Sequence, residues 1–154
     1  MKFRAASLAD IEQLRQMEQA VVDAERPFND DLKSGDQHYY DIEQLISNEL
    51  SLLLIAETLV DGHSSITACG YADVRESKTY IDYDLHAYLG FMYVDPKHRG
   101  KGLIQELIAK LFEWAKLREA NHFYLDVYAD NTAAIKAYEK LGFKASMIEM
   151  KYAD

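Results

Sequence analysis

Only one cysteine, Cys69, occurs in the 154 residues. That excludes an internal disulfide and fits a reducing compartment. Two prolines and seven glycines are too few to build an obvious linker, and no repeat or low-complexity tract breaks the chain. Long apolar runs are missing as well. The longest, Leu52–Ala56 and Tyr88–Val94, fall far short of the roughly 20 residues that a membrane-spanning helix requires. No apolar stretch follows Met1-Lys2-Phe3-Arg4, so no signal peptide is expected and the cytoplasm is the expected location. Basic residues are outnumbered, 17 against 26 acidic ones, for a net charge of −9. Such a field repels nucleic-acid phosphates and anionic membranes and favours cationic ligands. The five histidines have no metal-ligand spacing with cysteine or acid, and no metal is expected.

What remains is a globular composition, 49% hydrophobic and 28% charged, of a length that suits one compact domain over residues 1–154. Lys2 to Ala5 is a short candidate strand. Ser7-Leu8-Ala9-Asp10 resembles a capping box with Asp10 in place of the usual Glu. Ile11, Leu14, Met17 and Val21 then follow at helical spacing, which predicts a helix ending near Glu25. Residues 26–35 read as a loop and Tyr39–Asn48 as a second, shorter helix. Ser51–Val60 is strand-like, Asp61-Gly62 is a hairpin turn, and residues 66–74 alternate as a half-buried strand should. Tyr88–Val94 reads as a central strand covered on both faces. Leu103, Leu107 and Leu111 begin a long amphipathic helix, with Ile104, Ile108, Phe112 and Ala115 in the adjoining row. His122–Tyr128 is strand-like. Asn131 N-caps a helix with the apolar face Ala134, Ile135, Tyr138 and Leu141, closed by Gly142. Phe143–Tyr152 is expected to be a final strand. The order β-α-α-β-β-β-α-β-α-β predicts an α/β fold with a mixed, mostly antiparallel central sheet flanked by about four helices.

The informative stretch is Tyr93-Val94-Asp95-Pro96-Lys97-His98-Arg99-Gly100-Lys101-Gly102-Leu103. A strand ends, a proline turns the chain, and two glycines bracket Lys101 where a helix begins. Free N–H groups and the helix dipole at such a point favour a pyrophosphate, and Arg99 and Lys101 add countercharge. The spacing does not match a P-loop, and Gln105 stands where a dinucleotide fingerprint has its third glycine.

Residues 97–102, Lys-His-Arg-Gly-Lys-Gly, resemble the acyl-CoA signature Gln/Arg-x-x-Gly-x-Gly/Ala of the GNAT family of N-acetyltransferases. A second segment, Asn131 to Phe143, resembles that family's Asn-x-x-Ala-x-x-x-Tyr-x-x-x-Gly-Phe. The element order is similar over nearly the whole chain. Lys97 and Ile104 depart from the commoner residues, and neither removes a backbone donor.

The resemblance implies transfer of an acetyl group from acetyl-CoA, as co-substrate, to a primary amine of a small molecule or peptide by direct attack. It implies that N–H groups at Tyr93 and Val94 hold the thioester carbonyl. Those of Arg99, Gly100, Lys101, Gly102 and Leu103 would hold the pyrophosphate, with Asn131 on the pantetheine arm and Tyr138 as general acid toward sulfur. The acceptor groove implied comprises Glu25, Arg26, Phe28, Asn29, Asp30 and Asp31, with Asp73, Asp82 and Asp84 as further partners. Asp84, His86 and Tyr88 are candidate general bases. Cys69, on a strand without a paired histidine, reads as a packing residue. Alternatives are a non-catalytic acyl-CoA-binding domain and transfer of a larger acyl group. Self-association as a homodimer is a further expectation from the resemblance.

Overall fold

A computed structural model describes all residues from Met1 to Asp154. Its sheet has five strands in sequence order: β1 (Lys2–Ala5), β2 (Ser51–Val60), β3 (His63–Glu76), β4 (Leu85–Val94) and β5 (Phe123–Tyr124). The first four pair antiparallel and β5 joins β4 in parallel. Helices α1 (Ile11–Glu25), α2 (Ile42–Ser47), α3 (Leu103–Lys116) and α4 (Thr132–Lys140) flank it. The expected fold class, a mostly antiparallel sheet with four helices, is the one observed. None of the helices is long and apolar enough to cross a membrane.

Alternation along the strands sorts the core into two layers. Leu53, Ile55, Cys69, Tyr71 and Phe91 face α1 and α2, where Leu14, Met17, Val21 and Ile42 meet them. Leu54, Ala56, Ala68, Ala72 and Leu89 face Leu103, Leu107 and Leu111 of α3. The α3 side of β3 is a row of small residues, Ala68, Gly70 and Ala72. A Cβ at Gly70 would collide with Met92 Sδ and Leu107 Cδ2, so this glycine is what lets α3 approach the sheet.

Local signals behave as their chemistry dictates. Ser7 N–H donates to the Asp10 carboxylate at 2.7 Å, and the Arg4 guanidinium grips both Asp10 oxygens at 2.8 and 2.9 Å. The β2–β3 turn places Asp61 at φ 50° and Gly62 at φ 79°, the left-handed pair that a tight hairpin needs.

Three expected elements differ. The second helix starts at Ile42 rather than Tyr39, because Asp41 is its N-cap and accepts Gln44 N–H at 3.2 Å. β5 pairs over two residues instead of His122–Tyr128. Phe143–Tyr152 forms no strand, since nothing in the chain pairs with its backbone beyond Phe143. β4 is also less covered than expected. Ala87, Leu89 and Phe91 are buried, whereas Tyr88, Gly90 and Met92 are half-buried because β5 reaches so little of their strand.

Candidate functional site

β4 is distorted where the site lies. Tyr71 opposes Gly90 and Cys69 opposes Tyr93, so β4 carries one residue more than β3 across this interval. The surplus is absorbed at Phe91, whose φ of 54° is unusual for a bulky residue. Such a conformation costs on the order of 1–3 kcal/mol and persists only when the surroundings enforce it. Here Tyr40 stacks on the Phe91 ring at 4.5 Å between centroids. On its other side β4 pairs with β5 only through Ala87 and Tyr88. Beyond them the two strands part, and the β5-facing backbone up to Tyr93 and Val94 lines a cleft without a strand partner.

The turn after β4 is built to leave amides free. Asp95 accepts the Lys97 N–H at 2.9 Å, and Arg99 Nε donates to the Val94 carbonyl at 3.2 Å. Gly100 and Gly102 have φ values of 77° and 76°, a region that other residues enter at a cost. The N–H groups of Gly100, Lys101 and Gly102 find no acceptor within the protein, and α3 begins at once. A cavity of about 260 Å³ lies between Val94, Arg99, both glycines and the first turn of α3. Free amides, a helix N-terminus and a guanidinium together have the chemistry to receive an anion at the end of β4. Leu103 sends its side chain into the core and Lys101 is exposed.

Two further expected residues belong to α4 and its cap. Asn131 Oδ1 caps it by accepting Ala134 N–H at 3.2 Å, which leaves the Asn131 amide NH₂ unused. Tyr138 is half-buried, its ring edge-on to Phe143 at 5.8 Å. Burial raises its pKa above the ordinary value, and the charge of Glu25 adds to the rise. At neutral pH the phenol therefore keeps its proton. Burial likewise raises the Glu25 carboxyl, opposed by the nearby Tyr39 hydroxyl. That hydroxyl is itself buried without a hydrogen bond of normal geometry, and Tyr128 stands beside it. Phe28 stacks on Tyr128 at 6.5 Å, and Asn29 donates to the Tyr128 hydroxyl at 2.9 Å. Thus Glu25, Phe28, Asn29 and Tyr138, distant in sequence, gather in one place with Tyr39 and Tyr128.

Other expected residues lie elsewhere or are engaged. The Arg26 guanidinium binds Asp23 and the carbonyls of Lys33 and Gly35 at 3.0, 2.8 and 2.6 Å, so it holds its own loop. Asp30 is exposed and Asp31 pairs with Lys151 at 2.7 Å. Asp84 sits at the opposite end of β4, where its carbonyl accepts Ser77 N–H at 2.7 Å. The ten residues from there to Val94 amount to about 30 Å of strand. His86 and Tyr88 lie toward that end too, bonded to Ser77 Oγ at 3.0 Å and to Asp126 at 2.8 Å. Asp73 accepts from Ser51 at 2.7 Å. It borders, with Tyr40, Asp41 and Arg75, a second cavity of about 220 Å³. Asp82 is an exposed loop residue. Cys69 is fully buried with its thiol on the Phe91 carbonyl at 3.5 Å, and burial pushes its pKa up. An unactivated, enclosed thiol is no nucleophile. No group of three or more His, Cys, Asp or Glu residues is placed to hold a metal ion.

Sequence reading missed Tyr39, Tyr128 and, beneath them, Glu18. The Glu18 side chain is completely buried. Its Oε2 accepts the N–H groups of Tyr39 and Tyr40 at 2.8 and 2.9 Å, while Oε1 faces Arg15 at 3.1 Å and His38 at 3.3 Å. The signal was available, since Glu18 and Glu25 share the α1 stripe with Leu14, Val21 and Val22. An acid on a buried stripe requires donors.

Comparison with known proteins agrees with this geometry. The profile of the Acetyltransferase (GNAT) family matches residues 15–143. The N-alpha-acetyltransferase RimI of Mycobacterium tuberculosis is 30% identical over 95 residues, covering 60% of this chain and 56% of that protein. The chain spans between about a quarter and just over half the length of the curated relatives it matches. The fold superposes on that of a tetramutant of the BH1408 protein from Bacillus halodurans with TM-score 0.84 and 20% identity, over 99% of both chains. It also superposes on an aminoglycoside antibiotic 6′-N-acetyltransferase, AAC(6')-IG, from Acinetobacter haemolyticus. There the TM-score is 0.74 and the identity 23%, over 100% of this chain and 98% of that one. With a cleft between parting strands, free amides opening α3 and a profile match over most of its length, the chain belongs to the Acetyltransferase (GNAT) family.

Proposed function

We propose that the protein transfers an acetyl group from acetyl-CoA directly to a primary amine, with residues 1–154 acting as one catalytic unit. The observation that carries this reading is the parting of β4 and β5 beside the free amides that open α3.

In this reading the free amides of Gly100, Lys101, Gly102 and Leu103 hold the pyrophosphate, with Arg99 and Lys101 as countercharge, while the Arg99 N–H is turned to the Pro96 carbonyl at 3.5 Å. The unused Asn131 NH₂ bonds the pantetheine arm. The main chain at Tyr93 and Val94 holds the thioester carbonyl as it becomes an oxyanion. The amine nitrogen attacks the carbonyl carbon, forming the C–N bond. Collapse of the tetrahedral adduct breaks the C–S bond, and Tyr138 gives its proton to the departing thiolate. Glu25 takes the proton that the nitrogen loses, and solvent restores Tyr138. An alkylamine with an ordinary pKa near ~10.4 arrives as an ammonium, so the Glu25 carboxylate first attracts it, takes one proton and passes that proton to solvent before it accepts the second. Phe28, Tyr39 and Tyr128 supply ring faces for the same cation. Arg26 serves by fixing the loop that carries Phe28, and Asp84 stands too far along β4 to touch the acceptor. The names of RimI and the aminoglycoside enzyme support an amine as acceptor, and the acidic charge of this chain supports a cationic one.

Steady-state kinetics of Tyr138→Phe test the reading. Turnover should fall more than tenfold while acetyl-CoA affinity, measured by calorimetry, stays within twofold. Unchanged turnover would remove Tyr138 from the chemistry.

A further inference from the structure

We propose that the acceptor carries a carboxylate about 9 Å from its amine, and that Arg75 binds this carboxylate in the cavity of about 220 Å³ between α2 and β3. The substrate class is then a short peptide with a free C-terminus or an ω-amino acid of similar reach. The inference rests on the reading of the parted β4 and β5 as the place of acetyl transfer, and the amine end still meets Glu25.

The receiving group is the Arg75 guanidinium. Its Nε donates to Asp73 Oδ2 at 2.9 Å, and its carbon lies over the Tyr88 ring, 4.3 Å from the centroid. Asp73 is held in turn by the Ser51 hydroxyl at 2.7 Å. These contacts fix one edge of the guanidinium and leave both terminal NH₂ groups without an acceptor in the protein. A fixed fork with two free NH₂ groups is the geometry that takes a carboxylate through two parallel hydrogen bonds.

The rest of the cavity wall also offers donors. Asn48 Oδ1 accepts the Leu50 N–H at 2.8 Å, which leaves the Asn48 NH₂ free. The Tyr40 and Tyr71 hydroxyls make no hydrogen bond within the protein, and Tyr71 is only 7% exposed. A buried phenol without a partner is unfavourable until a ligand supplies one. The nearby acids are engaged already. Both Asp73 oxygens are taken, Asp41 caps α2 through the Gln44 N–H at 3.2 Å, and Asp126 accepts the Tyr88 hydroxyl at 2.8 Å. This local surplus of donors, rather than the net charge of −9, decides what the cavity holds.

Three tyrosines join the cavity to the reacting end. Tyr39 and Tyr40 both line it. The Tyr39 hydroxyl lies against Glu25, and Tyr40 stacks on Phe91 at the β4 bulge. Tyr71 lines it too and lies across Gly90, the residue before the bulge, where a Cβ would strike its hydroxyl. The strand spacing sets the ligand's length. The Arg75 guanidinium stands at the level of Tyr88, and β3 runs from Asp73, opposite Tyr88, to Cys69, opposite Tyr93. Four residues at roughly 3.3 Å each give about 13 Å. The ion pair itself takes up about 4 Å, which leaves about 9 Å between carboxylate and attacking nitrogen. Three extended peptide residues span about 10 Å, and ε-aminocaproate is slightly shorter.

The test compares matched acceptors on the intact protein, triglycine against triglycinamide and ε-aminocaproate against its amide. Calorimetry gives affinity, and kcat/KM is measured with acetyl-CoA. Wild type should favour the carboxylate in at least one pair by about tenfold or more in both readouts, and the pair that shows it tells peptide from ω-amino acid. In Arg75→Gln that preference should shrink to about twofold or less. Arg75→Lys keeps the charge without the fork and should fall between them. Equal handling of acid and amide by wild type overturns the proposal, as does a preference that Arg75→Gln retains. A carboxylate preference in binding without any acetylated product supports the Arg75 site and overturns the transfer reading instead, so the two failures are distinguishable. The Arg75 side chain is 46% exposed, so neither substitution opens the core, and the wild-type comparison needs no variant.

Discussion

Replacing Glu18 by alanine should loosen the acceptor side of the site without touching the acetyl-CoA side. The Glu18 carboxylate is fully buried, and one of its oxygens accepts both the Tyr39 and the Tyr40 N–H. Removing it orphans two enclosed amides at about 1–3 kcal/mol each. It also strands Arg15, which is partly exposed and recovers water. Relief of the carboxylate's own desolvation offsets part of the loss, so the net cost is about 3–5 kcal/mol, as for other broken buried charge pairs. With a urea m-value of roughly 2 kcal/mol/M, the unfolding midpoint should fall by about 2 M. Glu18→Gln discriminates further. A Gln carbonyl can accept the same two amides, and its NH₂ then meets Arg15, so the cost should be about 1–2 kcal/mol. Both variants should raise the acceptor KM, because Tyr39 and Tyr40 lose their anchor, and leave acetyl-CoA affinity unchanged. Equal midpoints for the two variants, or a loss below about 0.5 kcal/mol in Glu18→Ala, would refute the claim that this carboxylate pins the loop.

Two other outcomes follow from the same structure. Glu25 has a carboxyl pKa raised by burial, so its deprotonated form is lost as pH falls through a value above the ordinary carboxylate range. The acid limb of kcat/KM should sit correspondingly high and vanish in Glu25→Gln; a limb that survives the substitution belongs to another group. Gly70→Ala should cost about 1–3 kcal/mol by calorimetric unfolding, because its Cβ meets Met92 and Leu107 of the packed α3 layer. A neutral result would mean that α3 can move off the sheet.

The parts of the fold legible in sequence are those decided locally. Ser7 and Asp10, the Asp61-Gly62 pair and the spacing of Leu103, Leu107 and Leu111 each specify their element within a few residues. The turn at Gly100 and Gly102 was legible for the same reason, since two glycines ahead of an apolar helix announce left-handed φ values. What sequence hid is decided at long range. The bulge at Phe91 depends on Gly70 opposite it and Tyr40 upon it. The Tyr39-Tyr40 segment read as helical because nothing nearby says that a carboxylate on α1 claims its amides. Asp84, His86 and Tyr88 are candidate bases because their segment leads into the central strand, yet that strand carries its two ends apart. Residues 143–152 have the alternation of a strand, but a strand exists only where a partner strand does.

The central claim is acetyl transfer to an amine, and the most direct measurement is mass-spectrometric detection of acetylated product. Acetyl-CoA would be held fixed against a panel of polyamines, aminoglycosides, amino acids, amino sugars and peptides with free N-termini or lysines. At least one cationic class should give product heavier by one acetyl group, well above the no-enzyme control and largely lost in Tyr138→Phe. Binding of acetyl-CoA with no acetylated product from any class would contradict it and favour a domain that holds the coenzyme without using it.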